Sequence, residues 1–104
     1  MIPTKTIEEL IIKHSTLEKD LSSGNLDNKS FAEKSKEYSD VNEIISNAKK
    51  YLSFENEKLE LEKILEDNTS DKDFKDMAEM ELIDLKSQHE INEKKLKLFL
   101  LPKD

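Results

Sequence analysis

The sequence predicts an all-α fold: an elongated antiparallel helical hairpin within a three-helix, coiled-coil-like bundle. Three observations carry that reading. Apolar residues recur at three- and four-residue spacing along three long segments. The chain has one Gly and two Pro in 104 residues, and all three stand near segment ends. No stretch alternates apolar and polar residues over a useful length, so no strand is expected.

The first helix is expected from Thr4 or Thr6 to Ser22. Thr6-Ile7-Glu8-Glu9 reads as a capping box, in which hydroxyl and carboxylate satisfy end amides. Ile7, Leu10, His14, Leu17 and Leu21 form a narrow stripe, widened at its start by Ile11 and Ile12. Gly24 ends the helix, because it reaches the left-handed conformation at little steric cost.

The second segment runs from about Asn28 to Glu66, with Asp27, Asn28 or Ser30 as its cap. Phe31, Tyr38, Ile45, Leu52 and Leu59 recur every seventh residue, and Val41, Ile44, Ala48 and Tyr51 lie beside them. Two adjacent apolar rows suit a helix that touches more than one neighbour. Ser39-Asp40-Val41-Asn42-Glu43 looks like a fresh helix start, so a kink or short break is expected near residue 40.

Asp67-Asn68-Thr69-Ser70 is a polar turn, and Ser70 or Asp71 caps a third segment reaching about Phe99. Ala78, Leu82, Leu85, His89, Asn92, Leu96 and Phe99 share one face of it. Met80, Ile83, Ile91, Leu98 and Leu101 read as a flanking row, and Pro102 stops the helix. So short a turn forces the second and third helices to run antiparallel, with the first packed along the pair.

Composition excludes much chemistry. At 104 residues the chain is one domain, and residues 1–104 are read as a single helical unit. Without Cys there is no disulfide framework, thiolate zinc site or thiol nucleophile. A single Gly excludes a P-loop and a dinucleotide fingerprint. The longest apolar run, Leu98 to Leu101, is far short of a membrane span, and the N-terminus has no secretory pattern. A soluble, cytoplasmic protein with no membrane contact is the expectation. The net charge of −7, with 17 Lys and no Arg against 24 Asp and Glu, argues against autonomous nucleic-acid binding.

No catalytic, metal or cofactor constellation emerges. His14 and His89 each follow a Leu by four residues, and neither has a Glu three residues before it, so both read as half-buried seam residues. Glu55, Glu57, Glu60 and Glu62 lie in a helix without the glycine turn of a calcium loop, and read as a solvated face. Lys94, Lys95 and Lys97 complement the dipole at the end of the third helix. Nothing activates any Ser or Thr.

Three blocks resemble a known family. Phe31-Ala32-Glu33-Lys34-Ser35-Lys36-Glu37-Tyr38 is similar to the F-x-x-x-S-K-E-Y stretch in the N-terminal domain of bacterial class I peptide chain release factors. Met77-Ala78-Glu79-Met80-Glu81-Leu82 resembles that domain's M-A-x-x-E-L helix start. Leu100-Leu101-Pro102-Lys103-Asp104 resembles its closing hinge, in the form found in the branch that reads UAA and UAG. The resemblance implies an elongated helical domain that docks at the stalk base of the large ribosomal subunit and moves against the codon-reading core. The family's stop-codon tripeptide and Gly-Gly-Gln loop belong to other domains, and this sequence has no Gly-Gly pair. The expectation is therefore an excised domain or a natural truncation, non-enzymatic, whose partners are the ribosome and the factor's remaining domains. Phe54, Leu98 and Leu100 leave the main stripes and are the candidate interdomain or partner contacts. The alternative is a stand-alone coiled-coil adaptor for a partner helix.

Overall fold

Helical periodicity becomes three helices: α1 (Thr4–Ser22), α2 (Asn28–Glu66) and α3 (Lys72–Leu100). The computed structural model describes residues 1–102, so Lys103 and Asp104 of the hinge-like ending lie outside the described residues. Among the described residues there is no strand, and no helix is long and apolar enough to cross a membrane.

Local chemistry sets the ends. α1 starts at Thr4 behind Pro3, and no side chain caps it. The capping box expected at Thr6 is not formed: Thr6 lies within the helix and its N–H donates to the Pro3 carbonyl at 3.0 Å. Buried Ile2 and the fixed φ of Pro3 set the helix start two residues earlier. Beyond Ser22 the chain turns through Gly24 at φ 74°. Asp27 caps α2 by accepting the Ser30 N–H at 2.7 Å, and Asp71 caps α3 by accepting the Phe74 N–H at 2.8 Å. In the turn between them Asp67 Oδ1 accepts from the Thr69 N–H at 2.8 Å and the Thr69 hydroxyl at 2.6 Å.

α2 is the axis of the molecule. Its 39 residues run unbroken through Ser39–Glu43, so the expected break near residue 40 does not occur. Packing overrides the local start signal: Val41, Ile44 and Ala48 form one continuous buried row there, with exposures of 2, 8 and 0 %. An interruption would turn that row away from its partners and strand buried backbone groups.

α1 covers the first half of α2 and α3 the second, both antiparallel to it. Lys13–Glu37 and Asp20–Lys34 ion pairs mark the α1 side, and the Asn47–Asn92 hydrogen bond marks the α3 side. The backbones of α1 and α3 do not approach each other closely, so the first helix lies along α2 rather than along the pair. Their ends converge over the middle of α2, where Ile2, Ile7, Leu10, Leu17, Val41, Ile44, Ala48 and Leu96 make the core. This explains which α2 row is buried. The seven-residue row is half-buried at Tyr38, Ile45 and Leu52, and exposed at its ends, 49 % at Phe31 and 53 % at Leu59. The staggered halves give extents of 61 × 31 × 20 Å and a radius of gyration of 18.5 Å, against about 13 Å for a compact domain of similar length.

Candidate functional site

The α2–α3 seam carries the densest polar arrangement. Glu93 is its hub. Lys97, one turn on, reaches Glu93 Oε1 at 2.9 Å, and the Met1 ammonium stands 3.6 Å from the same oxygen. The Tyr51 hydroxyl donates to Glu93 Oε2 at 3.3 Å and accepts the Ile2 N–H at 3.0 Å. The Lys97 hydrogen bond and charge, then the terminal ammonium and Tyr51, hold the Glu93 carboxyl below its ordinary value of 4.5 against some desolvation. The same hydrogen bond raises Lys97 above 10.5. The cluster pins the N-terminal segment, residues 1–3, across α2 onto α3, with Ile2 sealed beneath it at 5 % exposure.

Both histidines occupy the half-buried seam positions that their Leu neighbours imply. His14 stacks on Tyr38, centroids 4.9 Å apart, and its Nε2 is 2.9 Å from Asn42 Oδ1. His89 lies between Tyr51 and Phe54, with centroids at 4.8 and 3.7 Å. Its Nε2 is 3.8 Å from Glu93 Oε2, while its buried Nδ1 has no hydrogen-bond partner among the described residues. Beside it, between α2 and α3, runs an open groove of about 630 Å³ lined by Glu57, Glu60, Glu81 and Asp84. Among the described residues no three of His, Asp or Glu converge where a metal ion would be held. Lys50, Gln88 and the apolar Leu61, Ile64 and Leu85 complete the walls of the groove.

The three candidate contact residues separate. Phe54 is 8 % exposed and packs face to face on His89, so it is not available on the free surface beside the other two. Its departure from the α2 stripes reflects the shift of partner from α1 to α3. Leu98 is 70 % exposed and Leu100 is 37 % exposed, both at the end of α3. Leu98, Leu101, Lys94 and Lys97 line a shallow hollow there.

The row read as flanking the α3 seam is corrected as well. Met80, Ile83, Ile91, Leu98 and Leu101 are all exposed, joined by Met77 at 60 %. They occupy the side of α3 away from α2. The signal was present in the sequence: the two apolar rows of α3 stand nearly half a turn apart, too far for one neighbour to cover both.

The family model for the PCRF domain matches residues 10–104. The chain belongs to the PCRF domain family. Relatives carry the name peptide chain release factor 1. The protein of that name from Pelagibacter ubique is 69 % identical over all 104 residues, which cover 29 % of its length. That from Orientia tsutsugamushi (strain Boryong) is 36 % identical over 101 residues, 97 % of this chain and 28 % of the relative. That from Alkaliphilus oremlandii is 41 % identical over 69 residues, 66 % of this chain and 19 % of the relative. The PCRF chain thus spans less than a third of the length of the relatives it matches. No solved structure matches it.

Proposed function

We propose that this PCRF domain serves translation termination as the docking and positioning element of a release factor 1, without hydrolytic chemistry of its own. The observation that carries the reading is the 69 % identity to a peptide chain release factor 1 over every residue of the chain. In the proposal the stop codons are UAA and UAG, and the partners are the large-subunit stalk base and the remaining domains of the factor. The setting is the cytoplasm. The long, thin form supports a spacer that holds one contact far from another. The net charge of −7 supports a protein partner over an electrostatic grip on ribosomal RNA. Leu98 and Leu100 are the proposed contact residues, at the end of α3.

Contacts made far from a reacting centre orient the catalyst and show as the concentration needed for productive engagement. The test is a two-by-two peptide-release assay on ribosomes halted at UAA. It pairs an intact factor carrying this domain, or one lacking residues 1–101, with ribosomes containing or lacking the stalk-base protein. Each single loss is expected to raise the factor concentration required, and the double loss to add little. Additive defects would refute the shared contact. Loss of all release at saturation would show that the domain does more than dock.

A further inference from the structure

The hairpin of α2 and α3 has a third helix beside it for only part of its length. α1 covers the first half of α2 and is stitched there by opposite charges, Lys13 to Glu37 and Lys34 to Asp20. Beyond Phe54 no third element covers the seam among the described residues. Leu61, Ile64 and Leu85 stand half-buried in the floor of the groove of about 630 Å³. In a complete bundle, apolar residues so placed receive the stripe of another helix.

The rims of this groove set acid against acid. The Asn47–Asn92 hydrogen bond and the Phe54–His89 stack fix the register of the two helices. That register brings Glu57 level with Asp84 and Glu60 level with Glu81, and all four are exposed. Glu57 and Glu60 also stand three residues apart on α2, as Glu81 and Asp84 do on α3, a spacing at which like charges repel. At three- and four-residue spacing Glu57, Glu81 and Asp84 have no Lys, and Glu60 has only Lys63. None of the four forms an ion pair among the described residues. Among those residues Lys50 is the only cation that lines the groove, at the end beside Asn92. The α1 seam joins opposite charges, whereas this one holds a standing repulsion that a cationic neighbour relieves.

We propose that the groove is a docking site for a basic amphipathic helix of a partner protein. Its apolar stripe lies on Leu61, Ile64 and Leu85, and Lys or Arg along both of its flanks meets the four carboxylates. A helix laid in a groove is anchored in this way, by apolar residues at three- and four-residue spacing. From Lys50 to Ile64 the seat is about 21 Å long, room for about four turns. Both rims carry the same sign, so the partner helix is cationic on both sides of its stripe. A small polycation would answer the carboxylates and leave the apolar floor uncovered. The carboxylates do not converge on a point where a metal ion would be held among the described residues. Leu98 and Leu100 are not part of this groove, so the inference goes beyond the contact proposed for them. Its test needs neither ribosome nor stop codon and does not depend on the termination reading.

The experiment titrates the 104-residue chain into a fluorescent, end-blocked peptide of Leu and Lys, about 18 residues long. Its Leu residues recur at three- and four-residue spacing, and Lys fills both flanks. Anisotropy is expected to show saturable binding of one peptide per chain, with amide chemical shifts moving around Leu61, Ile64 and Leu85. Glu57→Lys with Glu60→Lys should weaken binding at least about tenfold, since it sets like charges across the contact. Helical circular dichroism should not change, because both side chains are exposed. The same change of charge on α1, Glu8→Lys with Glu9→Lys, should weaken binding less than about twofold in about 0.15 M salt, where charges away from the groove are screened. Spermine, which has the charge without the stripe, should not displace the peptide at equal charge concentration. Absence of binding, or shifts confined to other parts of the chain, would overturn the proposal. So would equal weakening by the two charge changes, or displacement by spermine, either of which leaves only a general attraction of cations to an acidic chain.

Discussion

The rings of Phe54 and His89 lie face to face, centroids 3.7 Å apart and planes 15° from parallel. That contact replaces α1 as the cover of α2 beyond its midpoint. Phe54→Ala is expected to cost about 3 kcal/mol, since it empties a buried aromatic site. His89→Ala should cost less, and the double variant should reveal a coupling of about 1 kcal/mol. Urea unfolding of the four proteins measures it, and a coupling of zero would mean that the stacking adds nothing.

Leu96 and Leu59 separate the buried row from the row that only looks buried. Leu96 is 0 % exposed and Leu59 is 53 % exposed. Leu96→Ala should cost about 3 kcal/mol. Leu59→Ser, like Lys72→Ala at an exposed site, should stay within about 0.5 kcal/mol. Thermal melts of equal midpoint for the Leu96 and Leu59 variants would contradict the placement of the core.

The N-terminal segment is held by burial more than by charge. Ile2 is 5 % exposed, whereas Met1, whose amine stands 3.6 Å from Glu93, has a side chain that is 92 % exposed. Ile2→Ala should therefore cost about 2 kcal/mol, and acetylation of the terminal amine less than about 0.5 kcal/mol. Hydrogen exchange at the Ile2 amide should accelerate in the first case and hardly in the second.

Acid should weaken the fold through three carboxylates. The Ser30 backbone hydrogen bond lowers Asp27 and the Thr69 hydroxyl lowers Asp67, each below 3.8, while Lys97 lowers Glu93 below 4.5. A carboxyl lowered by folding contributes stability above its unfolded pKa and loses it as pH falls through the folded value. Melting temperature should be level near pH 6 and fall from about pH 4.5 downward. Asp67→Asn and Glu93→Gln should each flatten the fall. A steeper fall in either variant would reverse the sign.

Helix ends were legible because their chemistry is local. Asp27 and Asp71 accept from amides three residues on, and Gly24 turns the chain through its own φ of 74°. The choice of buried row was not legible in α2, because it depends on where two separate helices come to rest. In α3 the face read as the seam is the one that packs. The row holding His89 and Asn92 looks the poorer core, yet it is the one that packs, because Asn92 pairs with Asn47 at 2.9 Å and His89 finds two aromatic faces. The Glu93 cluster joins residues at opposite ends of the chain, a separation no helical spacing encodes. Of the candidate contacts, Leu98 and Leu100 are exposed and Phe54 is buried, because α3 replaces α1 as the partner of α2 where Phe54 stands.

The stagger of α1 and α3 along α2 makes the molecule a lever. The distal half of α2 and the first half of α3 stand clear of α1, ending in the tight Asp67 turn. α3 is about 43 Å long, so a tilt of only about 10° at its base carries the Asp67 tip roughly 7 Å. Small adjustments where Ile2, Ala48 and Leu96 meet are thereby magnified at the far end, without bending either helix.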